Sequence, residues 1–386
     1  MPRESAPTLS RARVATALAF LLFGTALGAW TARIPAIKHN LGLTDGRLSF
    51  ALLAFAAGAI TGQLLSGRLV DRLGSAAVLV PAALFEGAGL VLPSLAGGLV
   101  WLCVALYAFG TVHGLLNVSM NANAVEVQQA YGRPIITSFH AVYSVGGFLG
   151  AALGGLAAHA ELSARTTFVL VGLGVTVLAV WSSFWIRRTP PLPRTAGKHG
   201  RLPGVFLLGV LAFCCLVGEG AAADWSSVYL RDNLLASAGF AAAAYAAFAI
   251  SMMAGRLVGD RLATDWGATT LVRLSAVLAA AGLGLALLVA QPWAGVVGFG
   301  LLGLGLACIA PQVFSAAGNR DAAQAGRAIA SVASMGYAGF VVGPVLIGAA
   351  AQAAGLRAAL IIPVVLTAFV AVAATALRPR VGTLTA

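Results

Sequence analysis

Charged residues divide this chain into twelve apolar segments, each long enough to cross a lipid bilayer. A membrane-spanning helix needs about 20 mostly apolar residues. Soluble domains carry about 25% charged residues, whereas this chain of 386 residues carries 9% and is therefore a membrane protein. We number the predicted helices 1 to 12 in chain order. They cover residues 14–36, 46–70, 74–93, 98–125, 135–159, 164–186, 203–230, 237–262, 268–289, 292–317, 326–353 and 357–378.

The segments predict an all-α membrane protein rather than a β-barrel. Backbone amides in the hydrocarbon region must bond to one another because no water is present there. Barrel strands show short alternating patterns of polar and apolar residues, and long runs rich in Leu, Ala and Gly do not fit that pattern. The net charge of +12 is spread over the segment ends, so we expect no nucleic-acid partner.

The positions of the basic residues predict the orientation in the membrane. With the N-terminus in the cytoplasm, the cytoplasmic side holds 18 of the 24 Lys and Arg residues. Loops rich in Lys and Arg stay in the cytoplasm, and an even number of helices places both termini on one side. We expect a multi-pass protein of a bacterial-type plasma (inner) membrane with both termini cytoplasmic.

The chain contains an internal duplication. The string GRLVDRLG at 67–74 returns as GRLVGDRL at 255–262, and SFHAVYSVGGFLG at 138–150 resembles SVASMGYAGFVVG at 331–343. The two sequence offsets differ only by a short insertion, so the chain consists of two related parts.

A polar stretch near the midpoint separates these two parts. It reads RRTPPLPRTAGKHGRLP and is rich in Pro, Arg and Lys, which is typical of a linker. We therefore predict an N-terminal six-helix half at 1–186, a cytoplasmic linker at 187–202 and a C-terminal six-helix half at 203–386.

The duplicated halves, the basic central loop and the Gly-x-x-x-Asp-Arg-x-Gly string after helix 2 resemble the major facilitator superfamily of secondary transporters. The resemblance implies two pseudo-symmetric six-helix bundles and transport by alternating access, with no enzymatic activity. It also implies that both copies of the string form a cytoplasmic gate. The gate candidates are Gly67, Arg68, Asp71, Arg72 and Gly74 in the first copy and Gly255, Arg256, Asp260 and Arg261 in the second. The second copy departs from the pattern by one inserted residue, Gly259.

Two interpretations of the signature string stay open. Arg and Asp are ordinary residues at the membrane surface, where a helix ends. As part of a gate, Asp71 would instead accept hydrogen bonds from the N-terminus of a neighbouring helix, or pair with an Arg of the other half, when the cytoplasmic side is closed.

Within the superfamily, GRPIITSFHAVYSVGG and ADWSSVYLRD resemble a bacterial branch distantly similar to fucose permease. That relationship would imply an acidic residue in helix 1 and a glutamate in helix 4. Helix 1 has no acidic residue here, and Asn117 takes the helix 4 position. The coupling residues of fucose permease therefore do not transfer to this chain.

Glu219 and Asp224 in helix 7 are the candidates for proton coupling. A charge in the middle of a membrane helix costs about 2.5–3.5 kcal/mol, so such a residue faces a water-filled cavity or a partner. Five residues turn an ideal helix by about 140°, so the two side chains point in different directions, and we favour Glu219. A structural role for Glu219, paired with Arg33 or another polar group, stays open, and Glu86 in helix 3 is a weaker candidate.

The candidates for substrate binding begin with a polar stripe on helix 4. His113, Asn117 and Asn121 recur at intervals of four residues, and such a face avoids lipid. Hydrogen bonding between helices would explain the stripe equally well, and Trp225 could either stack on a sugar or anchor at the interface. The remaining candidates are Trp30, Arg33, His140, Tyr143, Trp225 and Gln312.

These features predict proton-coupled transport of a small polar solute, sugar-like or similar, by a monomer without cofactor or metal. The four cysteines lie in apolar runs without the spacing of metal ligands. A drug or metabolite efflux antiporter is the alternative, although the Asn and His stripe favours a polar solute. An intramembrane enzyme would need converging catalytic groups that the few isolated acids do not supply.

Overall fold

The computed structural model describes residues 6–43, 45–190, 204–321 and 324–378. Most of the predicted linker, from residue 191 onward, lies outside the described residues. The described residues are almost entirely helical, because the apolar segments satisfy their own backbone hydrogen bonds only in that form.

Twelve helical segments follow one another within the residues that the structure describes. The first six are Ala6–Asn40, Asp45–Leu73, Ser75–Val91 with a 3₁₀ turn at Leu92–Leu95, Leu99–Tyr131, Ile136–His159 and Ala164–Ser183. The next four are Val205–Val228 with a π turn at Tyr229–Asn233, Ala238–Trp266, Ala268–Val289, and Pro292–Leu306 with Ile309–Gly318. The last two are Ala325–Ala354 and the run Leu356–Ala359, Ile361–Ala373 and Ala374–Leu377. These segments are helices 1 to 12 from here on.

The helices have the length and composition of membrane spans. Within the described ranges, 11 of them are long and apolar enough to cross a bilayer. Helix 8 has 29 residues, and its stretch 238–255 carries no charged side chain. The prediction of an all-α membrane protein is confirmed.

Two single-residue turns occupy corresponding places in the two halves of the sequence. Gly74 alone separates helix 2 from helix 3, and Gly267 alone separates helix 8 from helix 9. Their φ angles are +86° and +76°, which side chains other than glycine rarely adopt. The glycine at the end of the signature string therefore allows the chain to reverse within one residue.

The chain forms two compact units. Unit 1 consists of Met1–Arg133, Phe139–Lys198 and Asp321–Ser331. Unit 2 consists of Pro134–Ser138, His199–Arg320 and Val332–Ala386. The first turns of helix 11 thus belong to unit 1, and the rest of that helix belongs to unit 2. The start of helix 5 belongs to unit 2, and the rest of that helix belongs to unit 1.

Several helix pairs of unit 1 pack with their backbones very close together. A Cβ atom at any of four glycines in helices 2 and 4 would overlap a backbone carbonyl oxygen of the opposite helix. These glycines are Gly58, Gly62, Gly110 and Gly114. Gly146 and Gly150 of helix 5 meet carbonyl groups of helix 1 in the same way. Small residues allow this close backbone approach where lipid offers no hydrophobic driving force.

Unit 2 is packed by the same principle. Gly303 of helix 10 lies against the Phe248 carbonyl group of helix 8, and Gly339 of helix 11 lies against that of Phe213 in helix 7. Tyr229 and Phe299 are among its largest fully buried side chains. Glycine contacts therefore bring helix backbones together in this unit as well.

Candidate functional site

Asp71 lies at the N-terminus of helix 11 within unit 1. Its carboxylate accepts hydrogen bonds from the backbone N–H of Gly326, at 2.8 Å to Oδ1, and of Arg327, at 3.3 Å to Oδ2. The Asp71 side chain is buried. A carboxylate at this position satisfies free N–H groups of the helix and complements the positive end of its dipole.

Asp260 makes the equivalent arrangement within unit 2. Its two oxygens accept from the backbone N–H of Thr137, at 2.7 Å, and of Ser138, at 2.9 Å, at the start of helix 5. Gln312 supports this turn, because its Nε2 donates to Thr137 Oγ1 at 3.2 Å. The inserted Gly259 therefore leaves Asp260 in contact with a helix N-terminus.

The glycines of the two strings lie in crowded places. A Cβ atom at Gly67 would lie 2.6 Å from Ala330 Cβ, and one at Gly255 would lie 2.7 Å from Ala307 Cβ. A Cβ atom at Gly259 would lie 2.5 Å from Thr137 Cγ2. The strings thus provide both the carboxylates and the close packing around them.

The arginines of the two strings occupy different environments. Arg68 and Arg72 are exposed, and Arg261 is exposed beside Asp265, with 3.8 Å between Nε and Oδ2. Arg256 is buried instead, and its guanidinium NH2 nitrogen lies 3.6 Å from Glu219 Oε1. The structure therefore associates Arg256 with the predicted proton-coupling residue.

Glu219 lies in a polar group inside unit 2. Besides Arg256, its Oε1 is contacted by Cys215 Sγ at 3.9 Å. The side chains of Arg256 and Glu219 are 6% and 19% exposed. Asp224, one and a half turns further along helix 7, is exposed, so the two predicted proton-coupling candidates do not share one environment.

His113 contacts Glu86 of helix 3 rather than the other residues of the predicted polar stripe. Its Nδ1 lies 2.6 Å from Glu86 Oε1, and both side chains are fully buried. The His113 ring also stacks on Phe23, with 3.7 Å between the ring centroids and 12° between the planes. The signal for this pair in the sequence is that Glu86 and His113 each lie near the middle of a predicted span.

The rest of the stripe forms a polar cluster with helix 5. Asn121 Oδ1 lies 3.2 Å from His140 Nε2, and both side chains are buried. The Asn121 amide donates to the Asn117 carbonyl oxygen at 2.8 Å, while the side-chain oxygen of Asn117 is buried and has no hydrogen-bond partner among the described residues. Tyr143 is half-buried and packs against Phe23.

The other binding candidates have separate contacts. Trp30 is buried against Phe168, and the guanidinium group of Arg33 donates to the Leu162 carbonyl oxygen at 2.6 Å. The Trp225 ring lies against Gly348, and its indole nitrogen has no hydrogen-bond partner within the described ranges. In the part of the chain that the structure describes, no three His, Cys, Asp or Glu side chains are grouped to hold a metal ion.

Comparison with known proteins identifies the family. The model of the Major Facilitator Superfamily matches residues 14–319 and 207–384. The chain belongs to the major facilitator superfamily. It is therefore an all-α membrane protein with the major facilitator fold, and it is a transporter, as the sequence predicts.

Relatives within the superfamily are similar over nearly the whole chain. The uncharacterized transporter y4wD of Sinorhizobium fredii is 36% identical over 367 residues, which cover 94% of this chain and 97% of that protein. Membrane protein MosC of Rhizobium meliloti is 32% identical over 402 residues, which cover 96% and 95%.

Two solved transporter structures share the fold. The transporter FucP in the outward conformation has a TM-score of 0.77 at 16% identity, covering 97% of this chain and 99% of that chain. The human organic anion transporter MFSD10 has a TM-score of 0.72 at 14% identity, covering 96% and 100%. At these identities the likeness is one of fold alone.

Proposed function

We propose that this superfamily member is a secondary transporter of a small polar solute, sugar-like or similar, and that it couples transport to protons. The halves 1–186 and 203–386 would move against each other in alternating access. We propose a bacterial plasma membrane location with both termini cytoplasmic, because most of the Lys and Arg residues then face the cytoplasm. We also propose that the protein is a monomer.

The polar cluster of helices 4 and 5 carries the proposal for the solute. Asn121 and His140 form a buried hydrogen-bonded pair, and the neighbouring Asn117 has a buried side-chain oxygen without a partner among the described residues. An unpaired buried acceptor is costly, and a hydroxyl or ammonium group of a solute would satisfy it. Few such groups are needed to orient a small ligand.

Glu219 supports the proposal of proton coupling. Its carboxylate lies in the middle of helix 7 beside Arg256, where ionisable residues of membrane proteins often belong to ion or proton pathways. Asp224 is the second candidate on the same helix. One solved structure that shares the fold, at a TM-score of 0.74 and 15% identity, is a fucose:proton symporter of E. coli.

Asp71 and Asp260 support a role for both signature strings in gating. Each binds a helix N-terminus through two backbone N–H groups. Such bonds are strong enough to bias a two-state equilibrium and still weak enough to break in every cycle. We propose that they break when the cytoplasmic side opens.

The test is uptake into proteoliposomes with an imposed pH gradient, using a panel of labelled sugars, polyols, amino acids and cationic drugs. We expect accumulation of a hydroxylated or zwitterionic solute that depends on the gradient, and a higher KM in Asn117→Ala. Glu219→Gln should lose the dependence on the gradient. Trp101→Phe is the matched control, because that side chain is exposed near the start of helix 4 and has no part in the cluster.

Two outcomes would contradict the proposal. Transport of cationic drugs alone, in exchange for protons, would indicate an efflux antiporter. Solute uptake that is the same with and without the pH gradient would exclude proton coupling.

A further inference from the structure

Unit 1 buries an acid and a base in direct contact. Glu86 of helix 3 and His113 of helix 4 approach to 2.6 Å between Oε1 and Nδ1, and neither side chain has any exposed surface. At this distance a hydrogen must lie between the two atoms, donated by either the imidazole or the carboxyl group. The pair therefore already shares one proton position.

The surroundings of the pair are apolar and aromatic. Phe23 of helix 1, Phe55 of helix 2 and Phe109 of helix 4 contact the His113 ring, with centroids 3.7, 5.6 and 5.9 Å away. The flat stacking on Phe23 suits either state of the imidazole, because aromatic faces also attract cations.

Helices 1, 2, 4 and 6 pack against helix 3 and bring few titratable groups near its middle. Residues 14–32, 48–67 and 166–183 of helices 1, 2 and 6 contain none. Besides His113, helix 4 carries Cys103 and Tyr107 between residues 99 and 125, and the Tyr107 hydroxyl donates to Thr61 at 3.1 Å. Helix 5 brings Tyr143 to the Phe23 ring that stacks on His113. Among these elements, Glu86 therefore has His113 as its compensating base.

Each member of the pair keeps one further polar atom. Glu86 Oε2 and His113 Nε2 are buried and have no hydrogen-bond partner in the described parts of the chain. A pair that served only to hold two helices together would need just the bond between Oε1 and Nδ1. The two remaining atoms can each accept a proton, or a hydrogen bond from water, when the pair changes its state.

We infer that Glu86 and His113 form a proton-binding site of unit 1 that is loaded and emptied during transport. Carboxyl and imidazole side chains inside membranes are the usual members of proton relays. Unlike an Arg side chain, His113 can give up its proton, so the pair changes charge without losing its contact. The inference rests on the proposed proton-coupled transport and adds a site to Glu219.

The experiment compares two assays on the same proteoliposomes, using the first solute that the panel identifies. Exchange of labelled for unlabelled solute without a pH gradient measures transport itself, and accumulation driven by the gradient measures coupling. Because coupling between sites corresponds to about 5–150-fold effects, we expect Glu86→Gln to lower accumulation by about tenfold or more while exchange continues. His113→Asn keeps the carboxyl group, removes the base and should give the same result.

Glu126→Gln is the matched control. Glu126 is another carboxyl group of helix 4 in unit 1, beside Ser75 and Thr189, and the ratio of accumulation to exchange should stay at the wild-type value. An infrared measurement adds a readout that needs no solute. The pH-dependent band of protonated carboxyl groups should lose intensity in Glu86→Gln.

The outcomes separate this inference from the proposed function. If the wild type accumulates the solute and both Glu86→Gln and His113→Asn keep its ratio of accumulation to exchange, the pair is structural and the inference is wrong. If the wild type itself shows no accumulation driven by a pH gradient, proton coupling fails, and the inference fails with it. An infrared band unchanged in Glu86→Gln would also overturn the inference.

Discussion

The Glu86–His113 pair of unit 1 and the Glu219–Arg256 pair of unit 2 each join a carboxylate to a basic side chain of a neighbouring helix, but the two pairs differ in chemistry. Glu86 and His113 in unit 1 touch at 2.6 Å and are fully buried. Glu219 and Arg256 in unit 2 are 3.6 Å apart, and their side chains are 19% and 6% exposed. Histidine can lose its charge, whereas arginine stays charged under all physiological conditions.

Protonation is therefore expected to have different consequences in the two pairs. By the inference above, the Glu86–His113 pair gains and loses a proton without breaking its contact. A proton on Glu219 would remove the negative charge that lies 3.6 Å from the buried guanidinium of Arg256, so protonation of Glu219 would weaken the hold of helix 7 on Arg256. Since Arg256 lies on helix 8, one turn before Asp260, such a movement would reach the carboxylate that binds helix 5.

The largest expected effect comes from removing the carboxylate next to the permanent cation. We expect Glu219→Gln to lower the free energy of unfolding by about 2 kcal/mol, less than the 3–5 kcal/mol of a fully buried pair because the side chain is partly exposed. Glu86→Gln should cost about 1 kcal/mol, because the neutral His113 can still donate to the new amide oxygen. Unfolding in mixed micelles measures both values.

A double variant sharpens this result. Arg256→Gln combined with Glu219→Gln removes the buried cation together with the carboxylate, and it should regain most of the stability that Glu219→Gln loses. Equal losses in Glu219→Gln and Glu86→Gln would mean that the two pairs do not differ in the way described.

An effect of intermediate size is expected when the carboxylates that bind the two helix N-termini lose their charge. Asp71→Asn keeps the shape of the side chain and removes the charge from its bonds to Gly326 and Arg327. A charge-assisted bond contributes about 1.5–3 kcal/mol, so we expect amide hydrogen exchange at the start of helix 11 to become about tenfold faster. Asp260→Asn should produce the same change at Thr137 and Ser138 of helix 5.

Each of these two variants is the control for the other, because each carboxylate binds a different helix. Mass spectrometry of peptides from the starts of helices 5 and 11 should show a change only in the helix whose carboxylate was altered. Faster exchange at both helices in either variant would indicate general loosening instead.

The smallest effect is expected at the arginine that occupies the place of Arg256 in the first string. Arg68 is exposed, and exposed substitutions usually change stability by less than about 0.5 kcal/mol. Arg68→Gln should therefore unfold like the wild type, whereas Arg256→Gln should not. A large loss of stability in Arg68→Gln would show that the duplicated strings are more alike than their environments suggest.

The sequence alone predicted the fold, and one of the two interpretations of the first signature string placed Asp71 at the N-terminus of a neighbouring helix. Charged residues mark the ends of the apolar segments, and the period of the duplication places Asp71 and Asp260 at corresponding helix ends. In the structure, the hydrogen-bond partners of Asp71 and Asp260 are backbone N–H groups at the starts of helices 11 and 5. The gating role itself stays a prediction.

The buried pairs could not be derived, because they depend on how far each helix is rotated. Three residues spaced by four, such as His113, Asn117 and Asn121, spread over about 80° of an ideal helix. The two ends of this stripe therefore meet different neighbours, Glu86 for His113 and His140 for Asn121. Likewise, nothing in the spacing of Glu219 and Arg256 indicates that helices 7 and 8 turn these side chains toward each other.

The glycine contact between helices 2 and 4 also has a consequence for biosynthesis. Four glycines let the two backbones touch, and helix 3 lies between these helices in the chain. Helix 2 therefore enters the membrane before the surface that it packs against has been translated. The N-terminal part of the protein reaches a stable assembly only once the ribosome has passed Tyr131, so a pause or truncation before that residue should expose helix 2 to quality-control proteases.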